Sequence, residues 1–241
     1  LSHVEHNRVI EFTVEIARGR VAVIAGTGSN STDEAISLTQ HAKKAGVDGA
    51  LLIAPYYNKP MQEGLYQHFK KVAETVDLPL VVYNIPGRTG INITPQTFAR
   101  LTQIKNIVAI KESSGSLQQM SEIIHYCGDR FILLSGDDAL ALPTLAVGGK
   151  GIISVAANII PADMAQMVRA FDRGNLQEAQ RLHYRMFGLF HALFLETNPI
   201  PVKTALSLMG RCSGELRLPL CPLSSENLER LKQAMKEYGL I

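Results

Sequence analysis

Six times between residues 21 and 173 a short apolar run is followed by a loop and an amphipathic stretch, and this alternation limits the possible folds more than any other feature. The runs are residues 21 to 26 (VAVIAG), 49 to 54 (GALLIA), 79 to 85 (PLVVYNI), 107 to 111 (IVAIK), 131 to 135 (FILLS) and 151 to 156 (GIISVA). Their β-branched content suits strands buried on both faces. Helices are expected at 32 to 45, 62 to 76, 95 to 103, 116 to 127, 138 to 147 and 161 to 173, with starts marked by Ser31-Thr32 and Thr94-Pro95. Strict alternation of strand and helix predicts a parallel sheet with crossover helices. A helix at 2 to 18 opens the chain, with Val4, Val9, Phe12 and Ile16 on roughly one face. After residue 173 the alternation stops, and 175 to 195, 199 to 209 and 223 to 238 read as three further helices. The expected organisation is an α/β barrel region over 1 to 173 and a helical appendage over 174 to 241.

Composition narrows the function classes. The 241 residues suit one large domain, since α/β barrels commonly reach ~250 residues. With 24 Lys and Arg against 22 Asp and Glu, and no block of like charge, a nucleic-acid partner is not expected. Cys127, Cys212 and Cys221 are odd in number and lack metal-ligand spacing, which fits free thiols in a reducing compartment. No apolar stretch reaches the ~18 residues of a membrane span, and no signal peptide opens the chain. A soluble cytoplasmic protein is expected.

Candidate chemistry gathers at the carboxyl ends of the runs. In Ile107-Val108-Ala109-Ile110-Lys111-Glu112-Ser113 an apolar strand runs straight into a lysine, at the sheet rim where ligands bind in parallel α/β folds. Poor solvation there disfavours the ammonium and makes the amine a nucleophile able to form a Schiff base. The competing reading is a lysine that snorkels from a strand end into water. Tyr83 ends another run and leads into Asn84-Ile85-Pro86-Gly87-Arg88-Thr89-Gly90, while Tyr56-Tyr57 follow a third. A phenol near an imine-forming amine can shuttle protons, and a guanidinium can fork onto a carboxylate. Singly, each has a plainer role: Tyr83 on the rim, Arg88 as a surface charge, Tyr56-Tyr57 in interface packing.

Other motifs read as structural. Gly26-Thr27-Gly28-Ser29-Asn30 lacks the spacing of a phosphate loop and reads as a tight strand-to-helix turn. Asp137-Asp138 reads as a helix cap rather than a metal site. His3 and His6 share a helical face, and two imidazoles alone do not make a metal centre. No G-x-S-x-G elbow occurs.

Taken together, GTGSN at 26 to 30, PYYNKP at 55 to 60, EGLYQHF at 63 to 69, YNIPGRTG at 83 to 90, IKESSG at 110 to 115, LLSGDD at 133 to 138, GIISVAAN at 151 to 158 and NPIPVK at 198 to 203 carry a resemblance. The chain resembles the dihydrodipicolinate synthase family, within the pyruvate-dependent class I aldolases that include the N-acetylneuraminate lyases. The Arg88-Thr89-Gly90 triplet favours the synthases over the lyases. The resemblance implies a TIM (β/α)8 barrel in which Lys111 condenses with pyruvate and the resulting enamine attacks aspartate semialdehyde. It makes Tyr83 the general acid and base, Tyr57 a relay tyrosine reaching a neighbouring subunit, and Arg88 the holder of the semialdehyde carboxylate. Ile153 matches a pyruvate-contacting position, and Gly136 lines the same pocket. No cofactor or metal is expected, since the imine on Lys111 does the work. A homotetramer built from two tight dimers is implied, with no membrane partner.

Two further expectations follow from the resemblance. The barrel of the family has two strands before the first one seen here, and a Gly-Thr-Thr-Gly-Glu motif there supplies a relay threonine. By the resemblance residues 1 to 18 match the family's second helix and about fifty residues of the family pattern precede it, so the chain is expected to be a truncated or partial form, inactive or nearly so if it is truncated in solution. Lysine-inhibited members bind the effector on residues matching His6, Asn30, Glu34 and Tyr56, so feedback binding of L-lysine is expected. The alternatives are another pyruvate aldolase of the same fold, or a catalytically dead barrel that senses lysine.

Overall fold

The computed structural model describes residues 1 to 128 and 131 to 241, in two compact units. The first comprises Leu1–Leu134 with Val147–Lys150, the second Ser135–Ala146 with Gly151–Ile241.

The first unit begins with α1 (His3–Ala17), started by a capping box in which Ser2 and Glu5 each bond the other's backbone. Then come β1 (Ile24–Gly26), α2 (Thr32–Ala45), β2 (Gly49–Ile53), α3 (Gln62–Thr75), β3 (Leu80–Asn84), α4 (Pro86–Thr89), α5 (Pro95–Leu101), β4 (Ile107–Glu112), α6 (Leu117–Cys127) and β5 (Ile132–Ser135), whose last residue passes into the second unit. Strands β1 to β5 lie side by side in chain order, and β1 to β4 pair in parallel. Their sequential order is what crossover helices enforce. Leu52, Leu80, Val82 and Ile110 are wholly buried with Leu65, Phe69 and Phe98 of the helices. Side-chain caps from Ser31, Thr94 and Ser116 start α2, α5 and α6.

The second unit holds a 3-10 turn (Asp138–Leu140), α7 (Ala141–Ala146), β6 (Gly151–Ile152), a second 3-10 turn (Ala156–Asn158), α8 (Pro161–Asp172), α9 (Leu176–Ala192), α10 (Ile200–Leu208) and α11 (Ser225–Tyr238). Met164, Met167, Leu182, Met186, Phe190, Leu231 and Met235 form its core.

Several sequence expectations need correction. The run at 151 to 156 is a strand only for Gly151–Ile152. Asp138 accepts from the Ser154 hydroxyl and from Ala156 N–H at 2.9 Å, which pulls the backbone out of the ladder into a turn. The first strand starts at Ile24 because Val23 N–H is taken by the Asp48 side chain at 2.7 Å. The helix at 138 to 147 begins as a 3-10 turn capped by Asp137, whose carboxylate accepts from Ala139 N–H at 2.9 Å. In α1 the apolar face read from the sequence is exposed, with Val4 at 78%, Val9 at 52%, Phe12 at 53% and Ile16 at 50%, while Ile10 and Ala17 are its buried residues. The periodicity identified a helix but not what covers each face. No helix among the described residues is long and apolar enough to cross a membrane.

Candidate active site

Lys111 and Tyr83 are directly opposite in the β3–β4 register. Residues so paired place their side chains on one face within a few ångströms, and here the Lys111 ammonium lies 4.1 Å from the centroid of the Tyr83 ring. Both side chains are half-buried, so neither is a rim group extended into bulk water. Burial raises the Tyr83 phenol above its ordinary value, while the nearby Ser113 hydroxyl and the Arg88 charge pull it back down. A phenol kept protonated near an amine is suited to giving and recovering a proton.

Arg88 sits on α4, a short helix that sequence reading missed. Pro86 at its first turn fixes the backbone for helix entry, and Gly90 ends it at φ 75°. The guanidinium is exposed yet close enough to Tyr83 for its charge to act on the phenol.

The pair directly beside Lys111 and Tyr83 is Asn84 and Glu112, both with no exposed surface. Strand alternation sends these side chains to the opposite face. Glu112 accepts from Ser114 N–H at 2.6 Å, from the Asn84 amide at 3.0 Å and from the Gln119 amide at 3.2 Å. Asn92 extends the network to Asn84 and Gln119. Burial raises the Glu112 carboxyl, and these donors oppose that rise. The network fixes the end of β4 and the turn after it, and thereby the root of Lys111. Sequence reading passed over Glu112, although a carboxylate at the end of an apolar strand is a signal that donors must meet it inside the fold.

Tyr57 is not enclosed with the pair. It is 89% exposed and holds φ 72°, a left-handed backbone conformation that costs a bulky residue on the order of 1 kcal/mol or more. Its loop is clamped to the β1–α2 loop, with the Asn58 amide donating to Asn30 O at 3.0 Å and the Asn30 amide to Tyr56 O at 3.1 Å.

The four expected effector residues meet at the end of β1 and the β1–α2 loop. His6 Nε2 bonds Gly26 O at 2.9 Å, Glu34 accepts from Ser29, and Asn30 holds Tyr56. His3 Nε2 lies 3.1 Å from a Glu34 carboxylate oxygen. The loop's reading as a tight turn has a steric basis, because a Cβ on Gly28 would sit 2.3 Å from Ile53 N.

In the second unit Gly136 lies between β5 and the Asp137 cap, and Ile153 N–H donates to Ser135 O at 2.9 Å. Both are partly buried.

A family model described as the dihydrodipicolinate synthetase family matches residues 1 to 238. The chain belongs to that family. It is similar to 4-hydroxy-tetrahydrodipicolinate synthase of Geobacter sp. (strain M21), 60% identical over 241 residues that cover 100% of this chain and 83% of that one. The crystal structure of dihydrodipicolinate synthase from Aquifex aeolicus superposes with a TM-score of 0.98 at 51% identity, over 100% of this chain and 82% of that one. The same enzyme from Cyanidioschyzon merolae, solved with lysine bound, gives 0.97 at 46% identity over 100% and 82%. Membership and these superpositions give the chain the TIM-barrel fold, with six of its parallel strands described here.

Proposed function

We propose that the chain is a lyase, 4-hydroxy-tetrahydrodipicolinate synthase, which condenses pyruvate with L-aspartate 4-semialdehyde on the diaminopimelate route to lysine. Family membership over nearly the whole chain and relatives of that name support the reading. The observation that carries it is the Lys111 ammonium against the Tyr83 ring at the carboxyl end of paired parallel strands.

In the proposed reaction the Lys111 amine attacks the keto carbon of pyruvate, and the carbinolamine oxygen leaves as water with a proton from Tyr83. The iminium makes the methyl protons acidic, and loss of one to the Tyr83 phenolate leaves an enamine. The enamine carbon attacks the aldehyde of the semialdehyde, whose oxygen takes the proton held by Tyr83, and the semialdehyde's own amino group then adds to the regenerated iminium carbon, closing the ring and releasing the Lys111 amine. Arg88 forks onto the semialdehyde carboxylate. By the resemblance alone, Ile153 is proposed to contact pyruvate and Gly136 to line the same pocket.

Tyr57 is proposed to serve a neighbouring protomer in a homotetramer of two tight dimers. Its strained backbone and near-complete exposure support a residue whose partner lies outside its own chain. Light scattering with size exclusion tests the assembly. L-lysine is proposed as feedback inhibitor at His6, Asn30, Glu34 and Tyr56, where an imidazole, an amide and a carboxylate gather beside the backbone of Tyr56. Calorimetry with no heat at millimolar lysine removes that proposal.

The decisive experiment is borohydride reduction in the presence of pyruvate. The intact mass should rise by one reduced pyruvyl group, located on Lys111 by peptide mapping, and Lys111→Arg should abolish it. An unmodified wild-type protein, or an adduct that persists in the variant, refutes the reading.

A further inference from the structure

The Ser113 hydroxyl is buried and meets no partner at full hydrogen-bond geometry, the Tyr83 phenol being the group it lies near. Buried hydroxyls are nearly always satisfied, and leaving one unmade costs about 1 to 3 kcal/mol. A serine kept under that penalty two residues beyond Lys111 calls for a physical reason.

Position supplies one. Ser113 N–H donates to Asn84 O at 2.9 Å, so the β3–β4 ladder continues past Glu112. The period of two then returns Ser113 to the face that carries Lys111, next to Tyr83 on the neighbouring strand. The surrounding polar groups are spoken for: Glu112, Asn84, Asn92 and Gln119 bond one another, and Ser114 N–H is held by Glu112. The Ser113 hydroxyl stands outside that network, yet it lies near enough to the Tyr83 phenol to act on its ionisation.

We infer that Ser113 is a positioning residue for Tyr83, its O–H donating to the phenol oxygen when Tyr83 has given up its proton. The inference rests on the proposed imine chemistry. There Tyr83 passes its proton to the departing carbinolamine oxygen and recovers one from the iminium methyl carbon. Between those transfers it is a phenolate in a half-buried site, where an anion without a donor is costly. A hydroxyl that makes no well-formed bond to the neutral phenol and a full one to the phenolate favours the high-energy state over the ground state, which is what accelerates a reaction.

The test compares steady-state turnover of wild type, Ser113→Ala, Ser113→Thr, Tyr83→Phe and the double variant Tyr83→Phe/Ser113→Ala, with borohydride trapping of wild type alongside. Ser113→Ala should lower kcat about tenfold, the worth of one hydrogen bond to a charged group, with little change in KM for pyruvate. Ser113→Thr, which keeps the hydroxyl, should restore most of the rate. In the Tyr83→Phe background Ser113→Ala should change the rate by less than about twofold, because a group that acts through the phenol has nothing left to act on. An equal loss in both backgrounds, or no loss in either, overturns the inference. If wild type fails to trap pyruvate on Lys111, the underlying reading fails first and the inference falls with it. A trapped wild type with additive variants sinks the inference alone.

Discussion

The Asn84 amide on β3 donates to the Glu112 carboxylate on β4 at 3.0 Å, with both side chains fully buried and one register step from Tyr83 and Lys111. A polar pair on one face of two strands thus anchors the pair on the other face that is proposed to react. Glu112 accepts only, and three donors converge on it. Asn84 cannot turn to oblige a substitute, because its own oxygen accepts from Ile93 N–H at 3.0 Å. Glu112→Gln therefore puts an amide N–H against a donor. We expect a loss of about 1 to 3 kcal/mol in urea unfolding with an unchanged m-value, together with reduced kcat. A variant as stable and as active as wild type removes the anchoring role.

Tyr83→Phe keeps the ring against Lys111 and deletes the proton. Turnover should fall by about 10² to 10⁴. Burial raises the wild-type phenol above its ordinary value of 10.0, so it stays protonated across neutral pH. The alkaline limb of kcat/KM that belongs to Tyr83 should then lie above pH 10. Rates near wild type in the variant exclude Tyr83 from proton transfer.

Much of this was legible from residue order alone. The apolar run into Lys111, the run ending at Tyr83 and the helix over 32 to 45 all follow from local periodicity, and the structure places α2 at Thr32–Ala45. What local pattern could not supply was long-range pairing. Glu112 acquires its meaning from Asn84, 28 residues away, and the strand expected to continue past Ile152 is broken by Asp138, 16 residues before Ser154. The exposed face of α1 shows the same limit, since spacing fixes which residues share a face and not what packs on it. Tyr57's backbone, at φ 72°, carried no residue-type signal, because glycine or asparagine is the usual occupant there.

His68 gives a pH-dependent stability. It is buried, its Nδ1 bonds Thr32 Oγ1 at 2.9 Å, and burial lowers its pKa from 6.5 to about 4. The folded protein therefore binds this proton less readily than the unfolded chain. The neutral imidazole's contribution is present above pH 6.5 and is lost as pH falls through about 4. His68→Gln cannot titrate. Relative to that variant, wild type should lose on the order of 3 kcal/mol between neutral pH and acid, read from urea curves at several pH values. Parallel pH dependence in the two proteins contradicts the assignment.

Gly28 and Gly26 test whether the β1–α2 loop is held by close approach or by chain flexibility. Added to Gly28, a Cβ would stand 2.3 Å from Ile53 N and 3.0 Å from Leu52 C, both backbone atoms of β2 that cannot yield without disturbing the sheet. Added to Gly26, it meets nothing within 4 Å. Gly28→Ala should cost about 3 kcal/mol or more, whereas Gly26→Ala should stay within about 0.5 kcal/mol of wild type. Because His6, Glu34 and Tyr56 all attach to residues 26 to 30, the first variant should also lose the proposed binding of L-lysine, read as heat, while the second keeps it. Equal tolerance of both substitutions in thermal unfolding means that the loop is not pinned to β2 as described, since only steric contact separates the two positions.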